Sequence, residues 1–270
     1  MAAQSSNPAF SRNPVFSGNA AAKPTPDITV DGLQQMYNAP AATPSQTDRM
    51  SYDDVIVKTA GLFVVLLATA TVGFLTMFPT PTVLGMGLLI AGVIGGLVLG
   101  LVNAFKREPS VPLIVAYAAF EGLAVGAISG IFEFQWSGIV LQAVLATFAV
   151  FGVTLALFAS GKIRASKRAT KIFLIAMVGY GVFSLLNFVL MLTGVVTDPF
   201  GLRSGWIGIA IGLLAVILAA YSLVLDFDSI QRGVKTGAPR KYGWSAAFGL
   251  VLTLVWLYLE LLRIIAIFRN

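Results

Sequence analysis

Four carboxylates lie in or against stretches of sequence that otherwise carry almost no charge: Glu121, Asp226, Asp228 and Glu260. A charged side chain at mid-bilayer costs roughly 2.5–3.5 kcal/mol on insertion scales, so it normally faces a partner or a water-filled cavity. Carboxylates along such a path can bind and release a proton or a cation. Glu260 belongs to a longer pattern. Gly249, Thr253, Trp256, Glu260 and Arg263 are spaced four, three, four and three residues apart, which puts them on one face of a helix. That face should turn away from lipid. Each carboxylate also has a purely structural role open to it. Glu260 can form an ion pair with Arg263 one turn later. Glu121 can be protonated and make one hydrogen bond across a helix bundle. Asp226 and Asp228 can be wetted carboxylates at a helix end, with Arg232, Lys235 and Lys241 offsetting the unfavourable helix dipole.

Other chemistry is excluded by composition. The chain has no cysteine and no histidine. Disulfides, thiolate catalysis and histidine-ligated metal sites are therefore ruled out. So are intramembrane proteases that need a His-Glu-x-x-His pair or a histidine base. A Gly-x-Gly-Asp aspartyl-protease signature, a P-loop and a dinucleotide fingerprint are all absent from the sequence. The sequence predicts a protein that is not an enzyme and that needs no cofactor.

The elements that position the carboxylates are seven apolar stretches. They cover Val55–Phe78, Val83–Phe105, Val111–Phe132, Ile139–Ala159, Ile172–Val196, Trp206–Leu225 and Trp244–Phe268. Each is near or above the ~20 residues a helix needs to cross ~30 Å of hydrocarbon. Charged residues are 11% of the chain and hydrophobic ones 57%, a balance no soluble core could hide. Lipid admits only helices or closed barrels, and these runs lack strand alternation. The expected fold is an all-α bundle of seven transmembrane helices over residues 51–270. The first run lies behind a polar segment and reads as a spanning helix rather than a cleaved leader.

Lysine and arginine mark the cytoplasmic side. They crowd the connections after the second, fourth and sixth stretches: Lys106 and Arg107; Lys162, Arg164, Lys167, Arg168 and Lys171; Arg232, Lys235, Arg240 and Lys241. The alternate connections carry only Glu133, Asp198 and Arg203. The expected topology is multi-pass in the plasma membrane, with the N-terminus inside and the C-terminus outside. The net charge of +6 has this origin and does not indicate nucleic acid. Anionic-lipid attraction to the five-charge connection is the alternative use of these cations. Residues 1–50 are poor in large apolar side chains and are expected to be a disordered cytoplasmic tail. They contain two copies of Asn-Pro-x-Phe, Asn7–Phe10 and Asn13–Phe16, read either as a docking motif or as a chance repeat in a biased segment. Ser51, with Asp54 three residues later, marks the first helix start, and Lys58 is placed to snorkel.

Small residues repeat every four positions in three stretches: Gly92, Gly96 and Gly100; Gly122, Gly126 and Gly130; Ser204, Gly208 and Gly212. Such stripes let helix backbones approach closely, a main source of association in lipid.

Two segments carry a family resemblance. Leu223-Val224-Leu225-Asp226-Phe227-Asp228-Ser229-Ile230 resembles the end of the sixth helix in the Bax inhibitor-1, or transmembrane Bax inhibitor motif, family. Leu257-Tyr258-Leu259-Glu260 followed by Leu261-Leu262-Arg263 is similar to that family's closing helix. The resemblance spans about residues 55–270 and looks closest to a bacterial branch. It implies a bundle whose last helix is enclosed by the other six. It also implies a pH-sensitive calcium leak, closed by an acidic pair on the sixth and seventh helices. Asp226 matches the first acid. Thr253 or Glu260 takes the second position, depending on alignment. Some bacterial relatives lacking the second acid are associated with a membrane-bound protease.

Two functions are thereby expected. One is a calcium, cation or proton leak carried by Asp226, Glu121, Glu260 and Thr253. The other is a membrane interaction protein that modulates a protease or stress complex through its tail and loops. If Asp226 latches the sixth helix to the seventh, or to Arg232 or Lys241 nearby, protonation loosens the latch and acid raises the leak.

Overall fold

The computed structural model describes residues 48–198 and 200–269. The tail with its two Asn-Pro-x-Phe copies lies outside these. Seven long helices are formed among the described residues: α1 Tyr52–Leu75, α2 Val83–Phe105, α3 Val111–Gln135, α4 Ile139–Ala159, α5 Lys167–Leu192, α6 Gly205–Lys235 and α7 Gly243–Arg269. All seven are long and apolar enough to cross a membrane. All seven begin within five residues of the expected apolar stretch. Lipid-facing rows stay exposed in the isolated chain, as at Val83, Phe105 and Trp206.

Short polar side chains start several helices. Ser51, Thr82 and Ser166 each accept a hydrogen bond from the backbone N–H three residues on, at 3.2, 3.0 and 3.2 Å. At α1 the expected acidic partner does something else. Asp54 accepts from Lys58 at 2.5 Å and from Arg240 at 2.9 Å, so it ties α1 to the segment before α7. Lys58 also donates to the Arg240 carbonyl at 2.7 Å and is tucked inward rather than snorkelled.

The glycine stripes decide which helices touch. Gly122, Gly126 and Gly130 of α3 lie against Leu66, Ala70 and Phe74 of α1, and Gly73 of α1 lies against the Leu123 carbonyl. A Cβ on Gly126 would overlap the Ala70 backbone. Gly92 and Gly96 of α2 meet another face of α3, at Ala124 and Glu121. Gly208 and Gly212 of α6 face Ile267 and Ile264 of α7. Ser204 stands at the N-cap position of α6, without a side-chain capping bond, rather than joining its stripe.

The last helix is the central one. In α7, 61% of the spanning window is buried, against 11–17% in α1, α2, α4 and α5. It packs on α1, α3, α4 and α6, through Phe248, Val251, Val255 and Leu262 on one side and Leu250 and Leu257 on another. By contrast, α5 buries only Phe173 and Asn187.

Candidate functional site

Because α7 is enclosed, its polar stripe must find partners inside the bundle. It does so at two levels. At the first, Thr253 Oγ1 donates to Asp226 Oδ2 at 2.8 Å, joining α7 to α6. One turn earlier, Gly249 leaves room beside Asp226 Oδ1. Thr253 is 3% exposed. Of the two candidates for the position opposite Asp226, the fold therefore selects Thr253.

Glu260 lies two turns away and is 4% exposed. It pairs with Arg263, as the spacing allowed, and also with Arg203 at 3.7 Å. Tyr180 of α5 donates its hydroxyl to Glu260 Oε1, and Trp256 Nε1 reaches the same oxygen at 3.3 Å. Arg203 comes from the turn before α6. It lies over the rings of Tyr180 and Phe183, at 4.8 and 5.5 Å, and donates to Ser184. One carboxylate thus faces one buried and one half-buried guanidinium group, and the Nε of each arginine has no partner among the described residues. Arg203 is the residue that reading the sequence missed. It sits in a connection with few charges, and nothing in its neighbours announces that its side chain turns inward.

The other acidic residues are separate from these levels. Asp226 does not meet Arg232 or Lys241. Arg232 pairs instead with Asp228 at 3.2 Å, and Lys241 with Glu108 at 3.0 Å. The cause is helical phase: four residues return to the same face of α6, whereas six do not. Nor do the two aspartates mark a helix end, because α6 continues to Lys235. Glu121 is half-buried on α3 with its Oε2 directed at Gly96 of α2, and it has no ion-pair partner among the described residues.

A family model described as Bax inhibitor 1 like matches residues 7–270. The chain belongs to this family. The match extends into the tail and includes both Asn-Pro-x-Phe copies, beyond the segments that carried the resemblance. Comparison with individually curated proteins returned no match. This Bax inhibitor 1 like protein is therefore a multi-pass membrane protein whose α6–α7 contact holds one acid and one threonine. Among its described residues no group of three or more acidic side chains is placed to hold a metal ion.

Proposed function

We propose that this protein is a pH-sensitive cation leak, passing calcium or protons, with the α6–α7 contact as its gate and no enzymatic activity. The observation that carries the reading is the hydrogen bond from Thr253 to Asp226. A hydrogen bond to a charged group contributes about 1.5–3 kcal/mol, against about 0.5–1.5 kcal/mol for a neutral one. Protonating Asp226 therefore weakens the helix contact by about 1 kcal/mol, roughly fivefold in a closed-to-open equilibrium. Acid loosens the gate and neutral pH closes it. Glu121 supplies a carboxylate that a passing cation can neutralise, since no lysine or arginine among the described residues pairs with it.

The test is calcium flux into liposomes at pH 6 and pH 8. The wild-type chain should leak about fivefold faster at pH 6. Asp226→Asn should leak at pH 8 as the wild type does at pH 6, and Glu121→Gln should lower flux at both values. Background flux in all three chains would overturn the leak.

Thr253 also favours a second reading. With a threonine in place of a second acid, the contact has one titrating group, and the resemblance links such chains to membrane proteases. In that reading the protein is an interaction partner of a protease. Removal of residues 1–47 then abolishes function, while Glu121→Gln does not.

The orientation we propose is N-terminus inside, in the plasma membrane. Its support is that residues 48–54 share one end of the bundle with the basic connections. Met50 N–H donates to the Ala238 carbonyl at 2.7 Å, and Arg240 N–H to the Asp48 carbonyl at 2.9 Å. The chain has no native cysteine to interfere with labelling. In intact cells, Ser137→Cys should react with an impermeant thiol reagent and Lys162→Cys should not. The opposite pattern would invert the topology.

A further inference from the structure

The basic end of the bundle contains a groove of about 510 Å³ between the start of α5 and the last turns of α6. Its lining changes character along the bundle axis. Lys167, Lys171, Asp228 and Arg232 form one half, and Leu174, Ile175 and Leu225 the other. On each helix the change falls at the boundary of its apolar run. Lys171 is followed by the apolar run that begins at Ile172, and Leu225 is the last residue of the run that ends before Asp226. The polar half is therefore at the depth of lipid headgroups, and the apolar half at the depth of acyl chains. Leu174 and Ile175 are 55% and 66% exposed, so the apolar half opens sideways onto the bilayer.

The charges of the groove are not balanced from within. Asp228 is committed to Arg232 at 3.2 Å. Lys167 and Lys171 have no ion-pair partner among the described residues. Three cations and one carboxylate leave two positive charges in excess, beside the positive N-terminal end of α5. The neighbouring hydroxyls are already used. Ser166 accepts from Ala169 N–H, and Thr170 bonds to the Tyr221 hydroxyl at 3.1 Å. The Thr170–Tyr221 bond, with the Phe173–Tyr221 ring contact at 5.2 Å, holds α5 to α6 beside the groove.

We infer that this groove is a binding site for an anionic phospholipid, with the headgroup phosphate between Lys167, Lys171 and Arg232 and an acyl chain along Leu174, Ile175 and Leu225. A soluble phosphate ester shares the headgroup chemistry but leaves the apolar half exposed to lipid without a ligand. The lipid fills both halves. Bound there, it bridges α5, the least buried helix together with its sparse apolar contacts, to the helix that carries Asp226.

The experiment uses the full chain in nanodiscs of phosphatidylcholine alone, or of phosphatidylcholine mixed with phosphatidylglycerol. Thermal unfolding should shift upward by about 2–4 °C in the mixed discs. The triple variant Lys167→Gln, Lys171→Gln, Arg232→Gln should lose most of that shift. Lys106→Gln with Arg107→Gln, at the same basic end but outside the groove, should keep it. The reading is the difference between the two lipids for each variant, so a general loss of stability does not mimic the result. Glycerol 3-phosphate added to phosphatidylcholine discs should give no shift. A shift with glycerol 3-phosphate would assign the site to soluble phosphate esters and overturn the lipid. Equal unfolding in both lipids, or equal loss in the control pair, would overturn it as well.

Discussion

Gly126→Leu should unfold the bundle far more readily than the wild-type chain unfolds. The position sits where α3 crosses α1, and even a Cβ there would overlap the Ala70 carbonyl and Cα. A leucine cannot be absorbed by a rotamer change, because the atoms it meets are backbone. Overpacking of a well-packed contact costs about 1–3 kcal/mol when side chains can yield, so the expected loss here is about 3 kcal/mol or more. It reads out as a large fall in unfolding temperature in detergent, or as a failure to recover folded protein. Gly152→Leu is the comparison. No atom lies within 4 Å of a Cβ built there, and stability should hardly change. Equal stability of the two variants would mean that the α1–α3 contact is not close-packed.

Glu260→Gln should be the most costly change among the polar residues. It keeps the shape of the side chain and removes its charge, leaving Arg203 and Arg263 to face each other in the bundle with no anion between them. Breaking a buried ion pair from one side costs about 3–5 kcal/mol, because the remaining charge stays desolvated. The loss should appear as a lower unfolding temperature. It should also appear as faster proteolysis in α5, which leans on this cluster through Tyr180 and Ser184. Adding Arg263→Met to Glu260→Gln should recover part of the stability, since one excess charge is removed while apolar volume is kept. An additive loss in the double variant would show that Glu260 does not act by neutralising its arginines. The result also bears on the leak. A carboxylate committed to two guanidinium groups holds α5, α6 and α7 together and is not free to bind a passing cation. This leaves Asp226 and Glu121 as the carboxylates on which flux should depend.

Much of the architecture was legible in the chain because lipid makes length and apolarity nearly sufficient. A run such as Val83–Phe105 can only be a spanning helix, and its bounds in the structure are the same. The apolar periodicity said less about α6. Its run ends at Leu225, but the helix continues to Lys235, since Ile230 and Phe227 are buried against the basic end and carry the helix past the hydrocarbon. The single stripe on α7 was also visible, and it faces inward as its spacing required.

Seven membrane helices, the charged residues within them, and the one-turn separation of Glu260 and Arg263 can all be read from the chain without its fold. These follow from local rules: helix length against bilayer thickness, and the 3.6-residue period. The partners came from packing between helices. That packing set Thr253 rather than Glu260 opposite Asp226, brought Arg203 of a distant turn onto Glu260, and directed the α3 glycines to α1 while the α2 glycines took another face of α3. A stripe of small residues states that a helix will be approached closely, but not by which helix. A lone arginine in a short connection can point to water or inward with equal sequence support. Those choices depend on how the other six helices pack with α7 and with one another, where the backbones of distant segments meet, and no spacing within one helix encodes that.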